Sequence, residues 1–409
     1  MSRVRARSRV LLVALCLSLL LLADSAAVVP GGSALATDDP DANVLTLVPE
    51  DLSTYTCESG FADIDSRLDM SLHGVAELGR GVVAVGYSRR RDRAAFGRRA
   101  PATLLNRAGA WTRVYAGSPG EEDGLIAVAS REDADTWAVG WTTIGNRVKP
   151  LAMRWNGREW KVDRPGLRGS LPALFTDVTI VGDGSPFAVG YRMTASGKRQ
   201  PIVIRKDGPR WRDIPINAGK HESITLTGVS PDRRGGTWVV GHGGPFAVVQ
   251  PMVFLRADAA WSRVKTPRLS GEAALTDVVA VSGRDSWAVG YHRHDGRSEP
   301  LVLRWDGTRW RTAVAPSFAS DEVILTAVSA DPAGGVWVVG AAWNDERKSH
   351  EAVAAWWDGQ AWNEYAGRAG GTELHDVVGS LDEDGWAVGR SGASARAARV
   401  CSPLQSGVF

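Results

Sequence analysis

The sequence predicts an all-β protein, a seven-bladed β-propeller with four-stranded antiparallel blades of about 50 residues. The main observation is a short phrase, an aromatic residue or Val, then Ala or Val, then Val-Gly, that occurs seven times in the 409 residues. Successive glycines of the phrase are 49 to 54 residues apart, and a fixed period of that length is typical of stacked repeat units. These glycines are Gly86, Gly140, Gly190, Gly241, Gly290, Gly340 and Gly389.

Each repeat carries signals for four short strands joined as a meander. An apolar segment precedes the phrase, with a valine 11 or 12 residues before the glycine. A hairpin follows the phrase, and no stretch shows sustained helical periodicity. Asn-Gly and Asp-Gly pairs, which accept the positive φ angles of tight turns, mark four hairpin tips: Asn156-Gly157, Asp207-Gly208, Asp306-Gly307 and Asp358-Gly359.

The 17 tryptophans follow the same register, because most of them occupy the second, third or fourth strand of a repeat. In the second strand, Trp287 and Val289 point to one face of the sheet, and Ala288 and Gly290 point to the other. A sheet with one bulky face and one nearly bare face can interlock with its neighbours around a central axis. This alternation therefore favours blades arranged radially.

The ends of the chain indicate how the ring closes. The last repeat has strand signals at 374–378, 386–388 and 395–401 but no fourth strand, so we expect an N-terminal strand to complete the last blade. The spacing of the other repeats places Cys57 in that strand, and Cys401 ends the neighbouring one. We therefore expect a Cys57–Cys401 disulfide, which an exported protein can form. The alternative is two unrelated free thiols.

The N-terminal residues predict export. Residues 1–36 read as a signal peptide: four arginines precede an apolar run of 14 residues, which is too short to span a bilayer comfortably. Ala34-Leu35-Ala36 offers a cleavage site, and a cut near Ala26 or Ala27 competes with it. An uncleaved signal anchor is the alternative. We expect a flexible start at 37–43, a single propeller domain at 44–401 and a tail at 402–409.

Composition and motifs narrow the function classes. The 48 basic and 46 acidic residues nearly balance, so net charge predicts no nucleic-acid partner. We expect no stable membrane insertion after signal cleavage, and a monomer. The sequence contains no nucleophile elbow, phosphate-binding glycine loop, zinc-binding helix motif or calcium-binding loop. It therefore predicts no catalytic residues, cofactor or metal.

Charge is unevenly distributed along the repeats. The segments between second and third strands sum to about +12, and residues 88–100 alone contribute +5, with Arg89, Arg90 and Arg91 among them. The turns between first and second strands sum to about −6. One hypothesis is an anionic partner steered to the basic face. The alternative is solubilising charge, partly cancelled by acids in the neighbouring loops.

Two further groups are candidate ligand-binding residues. The residue after the phrase glycine is often aromatic, and a ring of flat side chains can stack on sugars or seal the seams between blades; these residues are Tyr87, Trp141, Tyr191, His242 and Tyr291. His73 and His375 occupy equivalent first-strand positions where four other repeats have threonine. Two imidazoles near the channel could bind an anion or a metal, or could be hydrogen-bonded structural residues.

The Trp-rich repeat over about 44–401 resembles secreted bacterial β-propellers, and more loosely the Asp-box (BNR) and kelch or galactose-oxidase-like superfamilies. The sequence departs from both, since Asp306 and Gly307 are adjacent and the double glycine Gly334-Gly335 precedes the second strand. Such families contain glycosidases, oxidases and binding scaffolds, so the resemblance implies a fold more than a function.

The sequence leads to one leading hypothesis and two alternatives. The leading hypothesis is a secreted, non-catalytic scaffold that binds a protein or polysaccharide partner, such as an anionic or glycan ligand of the cell envelope. The first alternative is a glycan-active hydrolase or lyase that uses loop carboxylates. The second is a purely structural envelope protein.

Overall fold

A computed structural model describes residues 46–47 and 62–400, except 80, 90–96, 108–109, 168, 170, 218–222, 233, 245–248, 321, 333, 381–384 and 393. All of them belong to one compact unit, Asn43–Phe409. None of these residues forms a helix long and apolar enough to cross a membrane.

The described elements are β-strands, as the repeat pattern predicts. In chain order they are β1 (Thr46–Leu47), β2 (Ala62–Glu77), β3 (Gly81–Arg89), β4 (Arg99–Arg107), β5 (Ala110–Val114), β6 (Glu122–Glu132), β7 (Asp135–Ile144), β8 (Arg147–Trp155), β9 (Trp160–Val162), β10 (Ala173–Ile180), β11 (Pro186–Met193), β12 (Arg199–Asp207), β13 (Arg210–Asp213), β14 (Ser223–Pro231), β15 (Thr237–Gly244), β16 (Gln250–Ala257), β17 (Ala260–Val264), β18 (Glu272–Ser282), β19 (Asp285–His294), β20 (Arg297–Trp305), β21 (Trp310–Thr312), β22 (Val323–Ala330), β23 (Val336–Asn344), β24 (Ser349–Trp357), β25 (Trp362–Gly370), β26 (Thr372–Val378), β27 (Gly385–Ser391) and β28 (Ser394–Val400).

The strands form an all-β β-propeller with repeated blades. Five antiparallel sheets have four strands each, in the orders β6-β7-β8-β9, β10-β11-β12-β13, β14-β15-β16-β17, β18-β19-β20-β21 and β22-β23-β24-β25. In each of them the strands follow one another as a meander. We call the end of the sheets that carries the β7–β8 and β11–β12 connections the upper face, and the opposite end the lower face.

The prediction of seven four-stranded blades closed by an N-terminal strand is wrong. The remaining strands form one eight-stranded sheet in the order β1-β5-β4-β3-β2-β28-β27-β26. The physical reason is that β2 is a single strand of 16 residues. Its first part pairs with β28, from Ala62–Arg399 to Asp69–Ser394, and its second part pairs with β3. Cys57 and Cys401 lie outside the described residues, so the disulfide stays a prediction.

The phrase glycine is required because two strands approach closely at that point. A Cβ atom on Gly290 would lie 2.0 Å from the carbonyl oxygen of Ala274 on β18. The other phrase glycines meet the same obstacle, with gaps of 1.9 to 2.1 Å to a backbone oxygen. Each first strand also contains a β-bulge two residues beyond that contact, for example between Leu275 and Asp277.

Tryptophans pack where one sheet meets the next. Trp137 on β7 meets Trp211 on β13 edge to face, with ring centroids 5.5 Å apart. Three further pairs repeat this geometry at 5.2 to 5.9 Å: Trp238–Trp310, Trp287–Trp362 and Trp386–Trp111. Edge-to-face contact is a favoured arrangement of aromatic rings, so one ring from a second strand and one from the fourth strand of the following repeat fill each of these seams.

Three aspartates line a central cavity of about 550 Å³ formed by β2, β6, β10, β14, β18, β22 and β26. Asp376 accepts hydrogen bonds from the N–H groups of Val377 and Val75, at 2.8 Å each. Asp177 likewise accepts from the N–H groups of Val178 and of Val229 on β14. Asp277 accepts from those of Val278 and of Val328 on β22. Each carboxyl therefore satisfies two bulge amides and ties neighbouring sheets together.

Candidate functional site

The residues that follow the phrase glycines lie near the upper face but differ in accessibility. Trp141 is 1% exposed. Its indole ring packs over Gly124, its partner on the neighbouring strand, where a Cβ atom would lie 2.8 Å from the indole Nε1. Tyr191 and Tyr291 are also buried, whereas Tyr87 and His242 are partly buried. Trp141, Tyr191 and Tyr291 therefore present little ring surface to solvent.

Arginines cover three of the predicted tyrosines. The guanidinium carbon of Arg99 lies 5.1 Å from the ring centroid of Tyr87, and that of Arg199 lies 4.8 Å from the ring of Tyr191. A third pair, Arg293 and Tyr291, has a separation of 5.7 Å. Cation–π contact of this kind fixes each guanidinium at the upper end of its sheet.

His73 and His375 are brought together, although they are 302 positions apart. Their rings stack with centroids 4.4 Å apart, and His73 also stacks on Tyr87 at 5.1 Å. The Nδ1 atom of His375 donates to the carbonyl oxygen of Leu72 at 2.7 Å. Burial lowers the pKa of His73 well below its ordinary value, and the charges of His375 and Arg390 lower it further. His73 is therefore a neutral imidazole at pH 7.

The histidine pair adjoins a carboxylate, Glu373, that the sequence did not single out. Its oxygens lie 2.8 Å from His350 Nδ1, 3.1 Å from Arg390 Nε and 3.6 Å from His375 Nε2. Burial alone would raise the pKa of Glu373, but the contacts with His350, His375 and Arg390 hold it well below its ordinary value. Glu373 is therefore ionised throughout the physiological pH range.

His350 is oriented by that carboxylate. In the neutral form with a proton on Nδ1, it donates to Glu373 and leaves Nε2 as an acceptor, which is how a carboxylate commonly orients a histidine base or ligand. The ring also packs edge to face on Trp343 at 5.1 Å. The only sequence signal for this cluster is that Glu373 lies on the same short strand as His375.

His242 occupies the position that holds tyrosine in three other repeats. Burial, followed by the charge of Arg199, lowers its pKa to about 4. At pH 7 it is neutral. It therefore adds no charge to the upper face and lies beside the Arg199–Tyr191 pair.

The predicted arginine cluster is only partly described. Arg89 is exposed at the end of β3, where its strand partner is Arg99. Arg90 and Arg91 lie outside the described residues. Several other upper-face cations have acidic partners, such as Arg293 with Glu272 at 3.0 Å and Arg98 with Glu121 at 3.9 Å. Neighbouring acids therefore cancel part of the basic charge counted in the sequence.

Within the described part of the chain, no group of three or more His, Cys, Asp and Glu side chains is arranged to hold a metal ion. The cluster around Glu373 combines the guanidinium of Arg390, the neutral imidazole of His73, the rings of His350 and His375, and one ionised carboxylate. That set can bind an anion or a polyhydroxylated ligand.

Comparison with known proteins supports the fold. No protein-family profile matches the chain, and no curated protein matches its sequence. YCF48 from Cyanidioschyzon merolae is similar in structure, with a TM-score of 0.52 and 12% identity over 85% of this chain and 99% of that one. A PL25 polysaccharide lyase, an ulvan lyase, has a TM-score of 0.56 and 8% identity over 84% and 99% of the two chains.

A third similar structure is the β-propeller domain of the Trilobed protease from Pyrococcus furiosus. It has a TM-score of 0.50 and 10% identity over 84% of this chain and 99% of that one. Identities this low carry the fold and not the chemistry of a site. The likenesses therefore show that this chain is an all-β β-propeller.

Proposed function

We propose that the protein is an exported, non-catalytic binding protein whose upper face holds an acidic polysaccharide. The observation that carries the proposal is the repeated guanidinium–tyrosine pair at the upper ends of the sheets, formed by Arg99 and Arg199, while the third pair includes Arg293, which Glu272 already binds. Arginine pairs with carboxylates and sulfates through two parallel hydrogen bonds, which suits repeated anionic groups along a polymer.

The stacking geometry favours binding because the cations are held in place before the ligand arrives. A guanidinium that already lies on an aromatic ring has less side-chain entropy to lose on binding. The neutral state of His73 and His242 adds hydrogen-bonding groups without more charge. A structurally similar protein is a polysaccharide lyase, which supports a glycan ligand on this fold, but the proposal depends on the arginines.

The binding test uses dextran sulfate and polygalacturonate as acidic polymers and dextran as a neutral one. We expect the double variant Arg99→Gln/Arg199→Gln to bind the acidic polymers about a hundredfold more weakly, since each of the two lost charged hydrogen bonds contributes on the order of 1.4 kcal/mol, a factor of ten in affinity. Biolayer interferometry at two salt concentrations measures the affinities and their salt dependence.

Arg158→Gln provides the matched control, because Arg158 is an exposed arginine in the turn between β8 and β9 on the lower face. It should bind the acidic polymers as the unaltered protein does. Equal affinity for dextran and dextran sulfate, or unchanged binding by the double variant, would contradict the proposal.

A second candidate function, glycan cleavage, is favoured by the hydrogen bond between His350 and Glu373. An imidazole oriented in this way can remove a proton next to a sugar carboxylate while the glycosidic C–O bond on the adjacent carbon breaks. If this occurs, the protein should release unsaturated sugar ends from polygalacturonate, seen by ultraviolet absorbance. Glu373→Gln should then reduce the turnover rate at least tenfold, with little effect on binding.

A further inference from the structure

Exposed apolar side chains converge on one cleft at the outer rim of the upper face. The cleft has a volume of about 590 Å³, within the range of small-molecule sites, and lies between the β7–β8 hairpin, residues 163–167 with Gly169 and Leu171, and the start of β12. Ile144, Val162 and Leu171 line it and are 42%, 39% and 45% exposed. Among the described residues only Tyr115 and Val314 are large exposed hydrophobics elsewhere.

The charge at this cleft is positive. Lys149 and Arg164 line it, are exposed, and have no ion-pair or hydrogen-bond partner in the described part of the chain. The acidic lining residue Asp163 is already engaged, by Lys206 at 2.5 Å and by the indole N–H of Trp211 at 2.8 Å. Lys149 and Arg164 therefore face an apolar cavity whose one acidic lining residue, Asp163, is already paired.

A third cation adds an unsatisfied donor. Arg192 also lines the cleft, and its terminal nitrogen contacts Asp213 at 3.2 Å. Its Nε atom is buried and lacks a hydrogen-bond partner among the described groups. Arg192 therefore adds a third guanidinium at the wall of the cleft, and Asp213 balances part of its charge.

The cleft offers little to a peptide that would add a strand to β8. The carbonyl oxygen of Ala152 already accepts a hydrogen bond from the N–H of Asp163 at 2.9 Å, and Pro150 has no N–H to donate. The hydroxyl of Thr142 is also taken, since it donates to Asp123 at 2.5 Å. The ligand that fits an apolar wall, a positive rim and few backbone groups is a compact anionic amphiphile.

We propose that this cleft binds a single-chain amphiphilic anion such as a free fatty acid. The acyl chain lies against Ile144, Val162 and Leu171, and the carboxylate meets Lys149 and Arg164. This site is separate from the arginine–tyrosine pairs, and the inference does not depend on the proposed polysaccharide ligand.

Isothermal titration calorimetry with dodecanoate, below its micelle concentration, tests the proposal on the whole protein. We expect one dodecanoate per chain and much weaker binding of dodecyltrimethylammonium, which has the same chain and the opposite charge. Lys149→Glu/Arg164→Glu should weaken dodecanoate binding at least tenfold and strengthen binding of the cation. Leu171→Asp should weaken binding of both. Because these side chains are exposed, circular dichroism should show an unchanged fold.

Matched controls are Arg158→Glu for charge and Val314→Asp for exposed apolar surface; neither residue lines the cleft. Both should bind dodecanoate as the unaltered protein does. No binding of dodecanoate, equal affinity for the two detergents, or unchanged binding by the charge-reversed variant would overturn the proposal. Co-sedimentation with phosphatidylglycerol vesicles without binding of free dodecanoate would also overturn it, since it would indicate a membrane surface as the ligand.

Discussion

Replacing Gly290 by Ala is expected to lower the free energy of unfolding by about 3 kcal/mol, near the upper end of what overpacking usually costs. The new Cβ atom would lie 2.0 Å from the carbonyl oxygen of Ala274 and 2.9 Å from its carbonyl carbon. These are backbone atoms of a paired strand, so no side-chain rotation can relieve the overlap. β18 and β19 would have to separate, which weakens the ladder on both sides of the bulge.

Gly182→Ala is the matched control, because a Cβ atom there meets no heavy atom within 4 Å. We expect that variant to remain within about 0.5 kcal/mol of the unaltered protein. Urea unfolding followed by tryptophan fluorescence gives both values, and an unchanged m-value would show that the same surface is exposed on unfolding. If the two variants unfold at the same urea concentration, the steric explanation of the repeated glycine is wrong.

That explanation shows what the sequence could and could not predict about the fold. The seven glycines and their spacing predicted where the second strands lie, and Gly290 is in β19. The division into sheets was not predictable from the same pattern. β2 runs from its pairing with β28 to its pairing with β3, and no Gly or Pro near Asp69–Met70 marks the boundary between the two.

The candidate site was predicted in part for a similar reason. The equivalence of His73 and His375 was visible in the repeat, and the structure stacks their rings. Their partners His350 and Glu373 could not be predicted, since they lie on different strands. A single charged residue near a strand end has no repeated position that would mark it in the sequence. A sum of loop charges along the sequence does not show which charges pair in space, such as Arg293 with Glu272.

The three channel aspartates were missed because their position alternates with Gly and Ala in the other first strands, which hides any repeat. The structure gives them a measurable consequence. Burial raises the pKa of Asp277 to about 6 and that of Asp376 to about 8, with the charge of Asp277 adding to the effect in Asp376. The pKa of Asp177 is raised as well, first by burial and then by Asp277.

Stability is therefore expected to fall as the pH rises. A carboxyl whose pKa is higher in the folded than in the unfolded state stabilises the fold fully below its unfolded pKa of about 3.9, and that stabilisation is lost as the pH rises through the folded pKa. For Asp376 the loss between pH 7 and pH 9 is about 1.4 kcal/mol. Over this range the folded state loses the proton of Asp376, whereas the unfolded state is already ionised.

Asp376→Ala isolates this contribution. At pH 7 the variant should be about 2 kcal/mol less stable, since the N–H groups of Val75 and Val377 lose their acceptor. Alanine itself fits, because Ala127 and Ala327 occupy the same register in β6 and β22. Between pH 7 and pH 9 the difference should shrink, because only the unaltered protein has a channel carboxyl at position 376 to ionise.

Asp358→Ala separates this effect from ordinary loss of a hydrogen-bonded aspartate. Asp358 accepts hydrogen bonds from the N–H groups of Gln360 and Ala361, which hold its pKa below the ordinary value, so it is ionised from pH 7 to pH 9 in both states. Its substitution should cost the same free energy at both pH values. If the cost of Asp376→Ala is equally constant, Asp376 is already ionised at pH 7, and the channel holds a carboxylate instead of a neutral acid.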